Sequence, residues 1–206
     1  MRAVEHQILI GKTYLEIAKG LQVADSVVFN VAPTFFGLTI EGSQELAQMA
    51  IARLYDRDRR TVTVKSMLRL AASQANTFQK GTHQEVNEAI SKCEQEVTAL
   101  GPVLKSIGLR RNQWFAHLDL STVRDPAALN AAATLTIKDL NRAFTDTENI
   151  LSRLERLYDG TVGPIRFSGG NDYRTLLEYL HSYQTDKMNE FRKAVEEQFP
   201  RPPHDH

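Results

Sequence analysis

A chain with one cysteine cannot close an internal disulfide, and Cys93 is the only one in 206 residues. That fits a reducing compartment. Charge of one sign is also missing. Twenty-five Lys and Arg stand against twenty-five Asp and Glu, so no net field draws nucleic acid from a distance, and RNA binding has to rest on a local patch. Long hydrophobic runs are absent too. The most apolar window, Val27 to Ile40, is broken by Asn30, Pro33 and Gly37 and is too short to span a bilayer. Met1 to His6 lacks the apolar core of a signal peptide. These absences point to a soluble, cytoplasmic protein with no membrane partner.

Metal, cofactor and nucleophile signals are equally thin. His6, His83 and His181 have no Cys or carboxylate at ligand spacing, and His204-Asp205-His206 belongs to a terminus expected to fray. Ser168-Gly169-Gly170-Asn171 is too short for a phosphate loop and has no Walker lysine, which leaves it as a helix-start turn. Cys93 falls on an apolar seam, where a thiol acts as a small hydrophobe. No metal and no cofactor is expected.

What is present is helical periodicity, in a chain 42% hydrophobic and so able to build a core. Sustained alternation of period two, internal repeats and low-complexity tracts do not occur. Val4, Ile8, Leu15 and Ala18 begin a first long helix that the pattern carries through Val28, with Pro33 stopping or kinking it. A second helix carries Leu46, Ala50 and Leu54. The charged linker Asp56-Arg57-Asp58-Arg59-Arg60 leads through a loop at Thr61 to Val64 into a helix ending near Ala72. Val86, Ile90, Cys93, Val97, Leu100, Leu104, Ile107, Arg111, Trp114 and Leu118 then follow at steps of three and four, broken at Gly101-Pro102, with Pro102 at a helix start. A loop is expected from Ser121 to about Leu129. Thr136 with Asp139 caps a helix bearing Ile137, Leu140, Phe144, Thr147, Leu151, Leu154 and Tyr158. Gly160 to Gly170 reads as a turn region. Asn171 or Asp172 caps a last helix with Leu177, Leu180, Tyr183, Met188, Phe191 and Val195. The expected architecture is all-α: a single bundle-like helical domain over 1–199 with a disordered tail at 200–206.

Chemistry concentrates in Leu109-Arg110-Arg111-Asn112-Gln113-Trp114-Phe115-Ala116-His117-Leu118-Asp119. Arg111 takes a seam position that the pattern reserves for an apolar side chain, and a buried cation is costly unless something uses it. On an ideal helix His117 lies about 120° round from Arg111, whereas Arg110 and His117 are nearly aligned. The pair is poorly stacked within one helix, which favours a composite site where two protomers meet. Attack of a ribose 2′-hydroxyl on phosphorus needs a base, an acid for the leaving 5′-oxygen, and positive charge on the phosphorane. Histidine supplies the first two, and arginine brings a fork of donors to phosphate oxygens. Asn112 is placed to orient the phosphate or hold the histidine tautomer. An Arg and a His on a helix are more often a surface charge and a satisfied core histidine. Asp119 either orients His117 or pairs with Arg110 or Arg124. Trp114 could stack a base, though a core or interface role is the commoner one.

The segment resembles the R-x(4–6)-H signature of HEPN domains, with a polar residue after the arginine. Arg111-Asn112 followed by Ala116-His117-Leu118-Asp119 is similar to the AbiU-type, abortive-infection branch. Ala52-Arg53-Leu54-Tyr55-Asp56 and Thr63-Val64-Lys65-Ser66-Met67-Leu68 resemble its upstream stretch, and Thr136-Ile137-Lys138-Asp139-Leu140 also fits. The likeness covers roughly 5–160. It implies a helical bundle that dimerises and acts as a metal-independent ribonuclease of a toxin or phage-defence system, with an antitoxin as a possible partner. Arg111 and His117 match the catalytic pair, and Asn112 the polar position. Some members only bind, so a non-catalytic RNA- or protein-binding module is the alternative. Arg110, Arg57, Arg59, Arg60 and Lys65 make a candidate track for the RNA backbone, beside the commoner reading of such residues as a solvated helix end.

Overall fold

The computed structural model describes residues 1–56, 58, 60–115, 125–160 and 172–199, and among them every regular element is helical. In chain order these are α1 (Arg2–Gln22), α2 (Ser26–Phe29), α3 (Pro33–Leu54), α4 (Val64–Ser73), a 3₁₀ turn (Ala75–Thr77), α5 (His83–Ala99) and α6 (Gly101–Arg110). A π-helical turn (Arg111–Phe115), α7 (Pro126–Ala132), α8 (Ile137–Tyr158) and α9 (Asp172–Gln198) follow.

Side chains fix most of the helix starts. Thr63 and Ser66, Thr82 and Glu85, and Thr136 and Asp139 form reciprocal capping boxes on α4, α5 and α8. Each satisfies donors that the first turn would otherwise leave open. Asp25 caps α2 and Asp125 caps α7, the latter accepting from the Ala128 backbone N–H at 3.1 Å. Pro33, Pro102 and Pro126 stand in the first turns of α3, α6 and α7, where a missing N–H costs nothing.

The main core lies among α1, α3, α5 and α8, with Ile8, Leu15, Ile51, Leu54, Phe144 and Leu151 buried in it. Three of these helices meet at Gly11, where a Cβ would collide with the Phe144 ring and Ala50. Gly11 faces Ala50 while Leu21 clusters with Phe36, so α1 and α3 run antiparallel. Lys12 Nζ donates to Glu148 at 2.7 Å across the α1–α8 contact. Arg153 ties α8 to α5: its two Nη atoms donate to the Glu96 carboxylate, each at 2.8 Å, and Nη1 also donates to Cys93 Sγ at 3.2 Å. Cys93 is buried, and burial pushes its thiol up, as an inert hydrophobe requires.

Several boundaries differ from the periodic reading. The first helix ends at Gln22, well before Pro33, and Pro33 opens α3 instead of breaking α1. Proline is preorganised for a first turn, and Gly37 and Gly42 blur the apolar pattern of α3's first half. Leu46 is exposed, and the buried face of α3 runs through Ala47, Ala50, Ile51 and Leu54. Residues 126–129, expected in a loop, belong to α7, because Asp125-Pro126 is a cap followed by a first-turn proline. The loop at Thr61 to Thr63 and the start near Pro102 agree with expectation. In α9 only Leu177 and Leu180 of the predicted face join a cluster, and no residue of the helix is buried. The turn region after Gly160 and the tail at 200–206 lie outside the described residues.

Candidate nucleic-acid site

The apolar seam of α5 and α6 holds through Ile107, and Arg111 is its next position. Arg111 begins the π turn, with its side chain 38% exposed, so it edges the core instead of sitting in it. An i→i+5 turn adds a residue to the helical repeat and often marks functional positions. From Arg111 to Phe115 the ideal 100° progression therefore does not apply, and with it goes the angular argument that set Arg111 apart from His117. His117, Leu118, Asp119 and Arg124 lie outside the described residues, as do the Trp114 side chain and Arg57 and Arg59.

The π turn packs on α3, and the contact carries one ion pair. Arg111 Nη1 stands 3.5 Å from Asp56 Oδ2, just past the end of α3. The other oxygen, Oδ1, accepts the Asp58 backbone N–H at 3.2 Å. Among the described residues Asp56 is the partner of Arg111. It engages one guanidinium nitrogen, and a guanidinium carries five N–H donors in all. Both side chains keep solvent contact, so the pair contributes about 0–1 kcal/mol. It orients Arg111 without locking it.

Tyr55, next to Asp56, is named in the upstream stretch by the sequence but given no role there. Its hydroxyl lies 2.8 Å from Thr147 Oγ1 on α8. Thr147 already donates its own proton to Ala143 O at 2.6 Å, so the phenol donates to Thr147. Burial, with Asp146 and Glu96 nearby, pushes the phenol up to about 12, and the Thr147 bond offsets part of that. Tyr55 therefore stays protonated and nails the end of α3 to α8, which places Asp56. The signal for it was a tyrosine four residues after buried Ile51, immediately before a charged linker.

The other candidates separate. Arg110 turns toward α7: Nε donates to Ala133 O and Nη2 to Asn130 Oδ1, each at 2.9 Å. Burial pulls its guanidinium below the usual arginine range. Asn112 is exposed in the π turn. Arg60 pairs with Asp58 at 2.8 Å, and Lys65 is exposed in the first turn of α4. The structure thus brings Arg111 together with Asp56 and assigns Arg110 to the α7 contact. A groove of about 550 Å³ between α5 and α8, lined by Glu88, Lys92, Ser152, Arg153 and Arg156, contains none of the motif residues.

No described helix is long and apolar enough to cross a membrane. The model of a protein family described as AbiU2, a HEPN family, matches residues 3–190, a longer stretch than the motifs alone suggested. No curated protein and no solved structure matches the chain.

Proposed function

Because the chain belongs to the AbiU2 family of HEPN domains, we propose that it is a metal-independent endoribonuclease of the abortive-infection or toxin type. The observation that carries this reading is Arg111: a partly exposed side chain at a π turn, held among the described residues by Asp56 through one nitrogen. Arg111 binds the scissile phosphate and offsets the charge that builds on its equatorial oxygens. Asn112 stands beside it to orient the phosphate. His117 acts as general acid and base. The 2′-oxygen attacks phosphorus and gives its proton to a histidine; the P–O5′ bond breaks, and the 5′-oxygen takes a proton from a histidine. The products are a 2′,3′-cyclic phosphate and a 5′-hydroxyl, and DNA, lacking the 2′-hydroxyl, is spared. Two protomers supply one site, Arg111 from one and His117 from the other. Arg60 and Lys65, with Arg57 and Arg59, guide the RNA backbone, and an antitoxin is the partner that such a nuclease calls for in its cell.

Purified protein incubated with total RNA in the presence of EDTA tests this. Fragments with cyclic-phosphate ends are expected from the wild type and none from His117→Ala of unchanged helicity. Cleavage that survives His117→Ala sinks the assignment. A well-folded wild type that binds RNA and never cuts it leaves the non-catalytic binding module in its place.

A further inference from the structure

The stripe on the last helix outruns the body it packs on. α9 covers 27 residues, Asp172–Gln198, or about 40 Å at 1.5 Å per residue. At 100° per residue, Tyr173, Leu177 and Leu180 share one face with Met188, Phe191, Val195 and Phe199. The first three lie on the small cluster of Leu21, Val28 and Phe36. Tyr173 closes against Gly20 near the end of α1, and His181 Nδ1 reaches Asp25 at the start of α2 over 3.8 Å. Farther along the same stripe Met188 is 57%, Phe191 67%, Val195 39% and Phe199 69% exposed.

A second bare apolar surface lies at this end of the bundle. Phe35 and Leu38 on the first turns of α3 are 58% and 64% exposed, with Val31 beside them at 42%. Gly42 follows on the side of α3 that bears Leu38, and a Cβ added there would meet no described residue within 4 Å. Glycine inside a helix is roughly 0.5–1 kcal/mol worse than alanine, and no described residue of this chain requires the missing Cβ. A closely approaching helix would require it.

Charge selects between occupants. Residues 23–46 carry Asp25, Glu41 and Glu45 and no Lys or Arg. On α9, Lys187 and Arg192 flank the stripe, while Asp186, Glu190 and Glu197 turn to the far side and Glu196 sits beyond Arg192. The chain therefore holds two apolar surfaces whose rims have opposite charge. One continuous helix that leaves the body near His181 cannot double back to cover its own α3.

We propose that a second copy of this chain covers both surfaces. The distal part of α9 from each protomer lies across Phe35, Leu38 and Gly42 of the other, reciprocally about a twofold axis, as isologous contacts require. Stable interfaces bury about 800 Å² per partner, and with ~150–250 Å² per large aromatic side chain four arm residues and their α3 counterparts supply area of that order. The contact is distinct from the ribonuclease site, because Phe35 and Asp56 mark opposite ends of α3, about 30 Å apart by helical rise. Phe191, Val195 and Phe199 also lie past residue 190, where the family match ends.

Light scattering on the full chain reads the assembly, and Phe191→Glu and Leu38→Glu are each expected to halve its mass. Gly42→Leu is expected to do the same while melting no lower than wild type, since its side chain meets open space within one protomer. Leu38→Cys and Phe191→Cys proteins, treated with a bismaleimide, are expected to give a covalent dimer when mixed and none when treated alone; Cys93 is too buried to react. His117→Ala leaves all of this unchanged, so the contact and the nuclease reading stand or fall separately. A mass unaffected by Phe191→Glu overturns the proposal, as does cross-linking of Phe191→Cys to itself, which would mean arm against arm.

Discussion

Arg111 and Asp56 form a pair weak enough to be given up and directional enough to matter. Since a partly exposed pair is worth about 0–1 kcal/mol, Asp56→Asn is expected to change stability by no more than that. Its effect falls on kcat for RNA cleavage, because the carboxylate holds Arg111 in place. In an Arg111→Ala background the Asp56 change should add nothing, the non-additivity of residues that act as one unit; an independent loss in both backgrounds would separate Asp56 from Arg111. Tyr55→Phe removes the phenol's bond to Thr147 and is expected to cost about 0.5–1.5 kcal/mol in urea denaturation. Thr147 keeps its bond to Ala143 O, so a larger penalty would mean that the hydroxyl has a further role.

Among the elements, α1 and α8 carry the clearest dependence on pH. Glu155 is pushed up to about 7 from 4.5 by burial and by neighbouring Glu5 and Asp159. A carboxyl raised in the folded state is favoured there while protonated. Its contribution is full below pH 4.5 and is lost as pH rises toward 7. Glu155→Gln should therefore melt higher than wild type at pH 7 and alike at pH 4, with the gap opening between those values; a constant gap would mean that Glu155 does not titrate there. Gly11 governs how closely α1, α3 and α8 approach. Gly11→Ala presses a Cβ into the Phe144 ring and is expected to cost about 1–3 kcal/mol by overpacking, read from the denaturation midpoint.

For the whole molecule, the composite site predicts rescue between two dead proteins. Arg111→Ala and His117→Ala are each expected to be inactive, while a re-equilibrated mixture regains about a quarter of wild-type activity, since half of the dimers then hold one intact site of two. No regain places both residues of a site in one protomer. This exchange and the α9 contact concern different faces, so Phe191→Glu does not interfere with it.

The sequence by itself determined the helical class, the apolar seam from Val86 to Ile107, the cap at Thr136 and the motif around Arg111, because these rest on spacing and chemistry local to the chain. It misjudged Pro33 and the stretch after Asp125 for a local reason as well, since a first-turn proline and a helix-breaking proline look alike until the capping partner is known. Tertiary structure decided the rest. That Arg110 serves α7 while its neighbour Arg111 faces Asp56 depends on a π turn, which no periodicity announces. That the Tyr55 hydroxyl finds Thr147 depends on α8, nearly a hundred residues away in the chain. The apolar residues of α9 were legible as belonging to one helix, and only the fold shows that the distal half of their stripe is exposed, because burial is a property of what lies opposite a face and not of the face alone.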